Sequence, residues 1–298
     1  MTERTEFGRA GPDRIGPGIA YMMAGVLALA VLNVLVKLLS ARYPVIEIAF
    51  FRSLFALGPA LIAVSTSGGL ASLRTDRFGS HVTRASVGLG AMLLMFWSYH
   101  LLPLADAVAI GFSAPLFLTL LSVPLLGEKV GLARWGAVLV GFAGVLVMVK
   151  PGATVLNLGA LVALGAAVGY ALAVIAVRQL GRTEHPNTIV FYFTLNTGAL
   201  SALGLPWGWT SPTPGDFGLM ALTGLLGGAV QYCGTHAYTL GPAAVMGPFN
   251  YSAILWATLF GYLIWGDLPD RWVILGAAVV IASGLFIVLR ETRREKAG

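Results

Sequence analysis

The chain has 298 residues, 57% of them hydrophobic and only 11% charged, with a mean hydropathy of +0.82; a soluble domain carries roughly 45–50% apolar and 25% charged residues, so a water-soluble fold is excluded. The net charge of +6 is spread over short connections between apolar runs and forms no patch for nucleic acid. Cys233 is the single cysteine, which excludes an internal disulfide and a thiolate metal cluster.

Ten apolar stretches reach the length that crosses about 30 Å of hydrocarbon as helix, at 18–39, 44–64, 81–101, 104–126, 131–149, 157–178, 187–205, 216–239, 242–265 and 271–290. They are continuous Leu/Val/Ala/Gly runs, unlike the alternating segments of a membrane β-barrel. The expected fold is an all-α membrane protein with ten transmembrane helices. The first run exceeds the roughly 7–15-residue core of a signal peptide and is read as helix 1, with Asn33 inside it and Lys37 near its end.

Helix 2 opens after Pro44 and carries Glu47 and then Arg52 within FFRSLFAL. Eight residues beyond Pro44, Arg52 lies about 12 Å deep at 1.5 Å per residue. A charge near the bilayer centre costs about 2.5–3.5 kcal/mol even on the lenient insertion scale, so Arg52 must face protein or water. Two readings follow. Arg52 locks helix 2 to a neighbour through Glu47 or Asp106, or it attracts a carboxylate on a solute.

Helix 3 carries Trp97, Tyr99 and His100, helix 4 carries Asp106, Phe112, Ser113 and Pro115, and helix 6 carries Tyr170 and Arg178. Gln231 and His236 fall in helix 8, and Asn250, Tyr251 and Trp256 in helix 9, where Pro248 within GPFNY interrupts the run near mid-membrane. Polar side chains in lipid are first of all interhelical glue. Read functionally, Asn33, Arg52, Trp97, Tyr99, Phe112, Ser113, Tyr170, Gln231, Asn250, Tyr251 and Trp256 form a candidate substrate site. Aromatic faces beside amides suit a flat or cationic organic solute.

Lys37, Glu47, Asp106, Arg178 and His236 form a candidate ion-pair or gating set. Lys37 is equally placed to snorkel to the interface. His236 and His100 suit either helix packing or a coupling proton. Glu128 and Asp267 are expected to hold helix ends together against Arg134 and Arg271. Trp207, Trp209 and Trp272, at helix ends, read as interfacial anchors. Gly165-x3-Gly169 and Gly224-x3-Gly228 mark close helix approach or a homodimer face.

Residues 98–128 align with 237–267 at an offset of 139, pairing Tyr99 with Tyr238, Pro103 with Pro242, Ser113 with Ser252 and Gly127-Glu128 with Gly266-Asp267. With one inserted residue Gly136 meets Gly276 and Gly144 meets Gly284; at an offset of 141, Val36-Lys37 meets Val177-Arg178. The pattern divides the chain into tails at 1–17 and 291–298 and five-helix repeats at 18–152 and 153–290. Because five is odd, the second repeat enters the membrane inverted, a recurrent plan of secondary transporters. Fourteen of the 19 Lys and Arg residues fall on one side, among them Arg4, Arg9, Arg14, Arg74, Arg77, Arg84, Lys129 and Arg134, and this places both termini in the cytoplasm.

Asn33-x3-Lys37, Pro44 followed by FFR, and the LLGE and IWGD endings of helices 4 and 9 with glycine-spaced helices behind them resemble the EamA-type transporters of the drug/metabolite transporter superfamily, over about 18–290. The resemblance implies ten helices, cytoplasmic termini and a central cavity lined mainly by helices 1, 3, 4, 6, 8 and 9. Thr194 stands where a second-half counterpart of Arg52 would fall, and Arg178 replaces lysine, so the halves differ in charge.

The expected function is secondary transport of a small organic metabolite by alternating access across a bacterial inner membrane, with S-adenosylmethionine, riboflavin or amino acids as candidates. The expected partners are that solute and the bilayer, with no nucleic acid, cofactor or metal. No Gly-Lys dipeptide is present, hence no phosphate-binding P-loop. The rival readings are a membrane-embedded enzyme, for which no nucleophile–base or His-Glu-x-x-His set is found, and a channel.

Overall fold

In the computed structural model, residues 15–66, 69–128, 130–149, 158–240 and 243–295 are described. Arg4, Arg9, Arg14, Lys129, Lys150, Lys296 and Pro242 lie outside them. The described residues form helices and connecting turns with no strand. The helices are α1 (Ile15–Ser40), α2 (Val45–Thr66), α3 (Phe78–Leu101), α4 (Leu104–Gly111), α5 (Ala114–Leu126), α6 (Leu132–Val149), α7 (Leu158–Leu180), α8 (Pro186–Gly204), α9 (Pro214–Leu240), α10 (Ala243–Met246), α11 (Ser252–Trp265) and α12 (Arg271–Glu295).

Among the described residues seven spans are long and apolar enough to cross a membrane: α1, α2, α4 with α5, α6, α7, α8 continued to Trp207, and α9. The other expected spans fall short for local reasons. Helix α3 has 24 residues, but its first turns carry Ser80, His81, Thr83, Arg84 and Ser86, which lower its hydropathy. The run expected at 242–265 is divided by a 3₁₀ turn at Gly247–Tyr251. In α12 the described apolar portion is Arg271–Ile287.

Two breaks divide otherwise continuous runs, one between α4 and α5 at Phe112–Ser113 and one at the 3₁₀ turn. At each, a serine hydroxyl donates to the carbonyl three residues earlier, Ser113 to Ile110 at 2.7 Å and Ser252 to Phe249 at 2.6 Å. Backbone groups freed inside a membrane need such partners. Helices α5 and α11 both end on a glycine in the left-handed region, Gly127 (φ 68°) and Gly266 (φ 71°). The N–H groups of Gly127 and Glu128 turn back to Val123 and Ser122, and those of Gly266 and Asp267 to Tyr262 and Gly261. These are two copies of one helix-terminating motif. Each aims the carboxylate that follows it. Thr213 begins α9 by accepting from the Asp216 N–H at 3.2 Å while donating to its carboxylate at 3.0 Å, which satisfies donors that the helix itself leaves open.

The principal packings are α1 on α9, α3 on α7, α6 on α12 and α2 on α8 and α9, with α3 also against α8. Glycines set the closest of them. A Cβ at Gly224 would lie 2.6 Å from the Phe55 Cβ and 2.7 Å from the Arg52 carbonyl oxygen, one at Gly228 2.6 Å from the Pro59 Cβ, and one at Gly169 2.9 Å from the Ala91 Cβ. Both small-residue pairs therefore serve contacts within the chain, α9 on α2 and α7 on α3. The buried core runs through these contacts, with Val36, Ile48, Leu104, Leu116 and Met220 fully enclosed.

Candidate functional site

Because α9 presents Gly224 and Gly228 to α2, the backbone of Arg52 rests against α9 and its guanidinium lies over Gly227, whose built Cβ would be 3.5–3.7 Å from Nη2, Cζ and Nε. Its Nη1 donates to the Met92 Sδ of α3 at 2.9 Å, and Tyr99 of the same helix stands within electrostatic reach. The Arg52 Nε is buried with no hydrogen-bond partner among the described residues.

Neither expected carboxylate pairs with Arg52. Glu47, fully buried, accepts from the Thr210 N–H at 2.9 Å. Five residues at about 100° each place it about 140° round α2 from Arg52, on another face. Asp106 stands at the Lys37 end of the bundle, within electrostatic reach of that ammonium. The internal lock at Arg52 is thus replaced by a thioether, a phenol and a glycine floor.

A second interior cation was missed in the sequence. Arg84, near the start of the run expected at 81–101, was counted only with the basic residues of one membrane side; α3 begins at Phe78 and Arg84 lies in its second turn. Its guanidinium carbon is 4.1 Å from the centre of the Phe193 ring of α8, and its Nη1 rests against Gly88. Its Nε and Nη1 are buried without a hydrogen-bond partner among the described residues. Tyr170 of α7 lies within electrostatic reach of both Arg84 and Tyr238 of α9. Tyr170 is nevertheless 61% exposed. Asn250 joins this group by donating to the Tyr238 hydroxyl at 3.2 Å.

Charged pairs mark the two ends. Lys37 donates to the Leu102 carbonyl at 2.9 Å and to Asp267 at 3.4 Å, with its ammonium 4.8 Å from the Trp265 ring centre. One side chain thereby ties α1 to the α3–α4 turn and the end of α11. Arg178 donates to Glu128 at 3.0 Å, joining α7 to the end of α5. The carboxylates expected to meet Arg134 and Arg271 are thus taken by Arg178 and Lys37, while Arg271 lies 5.5 Å from the Trp272 ring centre. At the Lys37 end, Asp216 also accepts from Tyr43 at 2.8 Å, with Arg42 at 3.5 Å. At the Arg178 end, Glu184 accepts from Thr75 at 2.8 Å and stands 3.7 Å from His81.

The remaining candidates divide. Phe112 and Tyr251 bring the two helix breaks together, ring centres 5.0 Å apart, with the Tyr251 hydroxyl facing Gly284 of α12. Ser113 commits its hydroxyl to Ile110. His236 packs among Tyr21 and Tyr232 at 5.3 and 4.3 Å, and Trp256 lies 6.1 Å from Phe260. Asn33 is buried on α1, whereas Trp97 is 42% exposed and Gln231 is exposed. These last three join neither arginine cluster. Met92, Gly227, Arg84, Phe193 and Tyr238 were absent from the sequence-based set. A signal for the two glycines was present, since the 139-residue offset that pairs Tyr99 with Tyr238 also pairs Gly88 with Gly227.

The apolar helices define a multi-pass membrane protein. The EamA-like transporter family matches at residues 16–150 and again at 157–289, and the chain belongs to this family of small-molecule transporters. It is 32% identical over 290 residues to a riboflavin transporter of Rhizobium johnstonii, covering 96% of this chain and 95% of that protein. It is 26% identical over 276 residues to an S-adenosylmethionine uptake transporter of Rickettsia bellii, covering 93% and 94%. A solved crystal structure, 23% identical, shares the fold with a TM-score of 0.65 over 94% of this chain and 99% of that one.

Proposed function

We propose that the chain is a secondary transporter that carries a small organic metabolite across a bacterial inner membrane by alternating access. It spans the membrane ten times as two inverted five-helix halves, with both termini in the cytoplasm. The observation that carries this reading is the pair of ion contacts at the ends. Lys37 of the first half meets Asp267 of the second, and Arg178 of the second meets Glu128 of the first. The repeat alignment equates Lys37 with Arg178 and Glu128 with Asp267. Each contact is thus the other with the halves exchanged, as two inverted halves require. The packings of α1 on α9 and α3 on α7 exchange in the same way. The two separate family matches support the division.

Relatives of comparable similarity are named for riboflavin and for S-adenosylmethionine, so both are candidate solutes here, with amino acids third. The purified protein in liposomes tests the reading. Saturable counterflow, in which internal unlabelled solute drives accumulation of labelled solute, is expected. Ohmic current without counterflow, or chemical conversion of the solute, sinks it.

A further inference from the structure

We propose that the end of the bundle marked by Arg178 carries an acid-sensitive latch, His81 against Glu184, which holds this end shut while the imidazole is neutral and releases it when the imidazole takes up a proton. The proposal rests on the transporter reading for one point, the orientation that makes this end the cytoplasmic one. The contacts themselves stand without it.

At this end the connection before α3 lies as a strap over the start of α8 and the turn between α7 and α8. Thr188 donates to the Ser72 carbonyl at 2.8 Å, and Tyr192 to the Leu73 carbonyl at 2.8 Å. Thr75 donates to Glu184 at 2.8 Å, and Arg77 to Thr183 at 3.2 Å. The Phe78 ring meets that of Tyr192 edge-on at 5.9 Å. Because the strap belongs to the first half and α7 and α8 to the second, opening this end parts them.

The opposite end carries the same strap with the halves exchanged. The 139-residue offset lays Phe78-Gly79 on Phe217-Gly218 and Arg77 on Asp216; the 141-residue offset lays Thr183-Glu184 on Arg42-Tyr43 and Tyr192 on Phe51. Phe78 on Tyr192 thus answers to Phe217 on Phe51, edge-on at 5.5 Å, and Arg77 with Thr183 to Asp216 with Arg42. At one position the copies part company. His81 falls on Met220, and both are 0% exposed. An enclosed apolar side chain fills that place at one end; at the other, His81 fills it and adds a group that titrates.

His81 lies in the polar first turns of α3, ahead of its apolar stretch. Its Nδ1 and Nε2 are both buried without a hydrogen-bond partner among the described residues, and its ring centre is 4.7 Å from that of Tyr192 on α8. The Glu184 carboxylate on the α7–α8 turn stands 3.7 Å from Nε2, beyond hydrogen-bonding distance. Arg77, ahead of α3, opposes a proton on the ring, and Arg84, further along α3, is turned to Phe193. An imidazolium has two N–H donors to satisfy; here one meets nothing and the other only a distant carboxylate. Burial therefore outweighs Glu184 and holds the imidazole below the ordinary histidine range. In an opened end, water reaches the ring and it titrates near its ordinary value of about 6.5. The closed end binds fewer protons than the open one, so its stability is fully present above about pH 6.5 and declines as the pH falls below that. Acid in the cytoplasm accordingly favours opening toward the cytoplasm.

The test is amide hydrogen exchange of the purified protein in lipid nanodiscs between about pH 5.5 and 7.5, each rate divided by its intrinsic value at that pH. His81→Met is the reference, because Met220 shows that methionine fills the equivalent place. On acidification the wild-type strap at 72–77 and the turn at 181–185 are expected to lose protection at least about threefold relative to His81→Met, while the strap at 208–213 keeps it. Glu184→Gln leaves the imidazole in place, so its acid response should persist; this variant decides the matter should His81→Met fail to fold. The proposal is overturned if wild type and His81→Met respond alike, if acid protects the 72–77 strap, or if the response vanishes in Glu184→Gln, which would assign it to the carboxylate. None of these measurements needs a carried solute, so a failure of counterflow and a failure of the latch are separate results.

Discussion

At Asp216 a single carboxylate gathers three donors from two segments, Arg42 and Tyr43 before α2 and Thr213 before α9, and their contributions differ by exposure. The Tyr43 hydroxyl, 6% exposed as a residue, donates at 2.8 Å and also accepts from the Thr213 N–H at 3.3 Å. Arg42 reaches the same carboxylate at 3.5 Å, but its side chain is 72% exposed. A hydrogen bond from a buried hydroxyl to a charged group contributes more than an exposed, screened ion pair. Tyr43→Phe is therefore expected to lower the thermal midpoint by several degrees, while Arg42→Ala leaves it nearly unchanged. Equal losses would show that charge and not the buried hydroxyl holds this end. None of this was legible in the sequence, because Tyr43 and Asp216 lie 173 positions apart and no periodicity links such pairs. That Arg52 faces protein was legible from the apolar run around it. Its company was not, since Met92 and Gly227 offer neither charge nor motif, and Arg84 reads as one more basic residue at a helix start until its contact with Phe193 of α8 is known.

Helix existence was the most legible layer, because apolar length alone decides what can cross hydrocarbon. The interruption at Pro248 was legible too. The matching break at Phe112–Ser113 was less so, since it lies two residues before the proline that suggested it and depends on a serine hydroxyl turning back to its own helix. Contacts between helices depend on glycines whose partners only the fold reveals. Repeat alignment pairs Gly144 with Gly284, yet Gly144 packs on Gly276, where its built Cβ would lie 2.8 Å from the carbonyl oxygen. A Cβ at Gly276 would in turn fall on the Gly144 carbonyl and 2.5 Å from the Met148 Cγ. Backbone against backbone cannot relax as a rotamer can. Gly276→Val is expected to cost about 1–3 kcal/mol through overpacking and to separate α6 from α12. Gly90→Val, at a glycine with open space around it, serves as the tolerated control. Comparable unfolding midpoints for the two variants would remove the α6–α12 contact from the account of stability.

For the molecule as a carrier, the ion pairs at its ends set a balance between states. In the proposed orientation Lys37–Asp267 closes the outer end and Arg178–Glu128 the inner end, and alternating access requires each to open in turn. They are not equal. The Lys37 side chain is 12% exposed and has the Leu102 carbonyl and the Trp265 ring as further partners, whereas the Arg178 and Glu128 side chains are 46% and 34% exposed. Neutralising Glu128 therefore gives up an interaction of about 0–1 kcal/mol. Neutralising Asp267 gives up more, because it leaves a largely buried ammonium short of its counter-ion. Asp267→Asn is expected to bias the protein toward opening at the outer end, raising amide exchange at the ends of α1, α3 and α11. Glu128→Gln should raise it more weakly at the ends of α5 and α7. A charge swap, Lys37→Asp with Asp267→Lys, should return exchange toward wild type where either single change alone does not. If both neutral variants exchange as wild type does, or if each loosens both ends equally, the pairs are fastenings of a static bundle and not alternating closures.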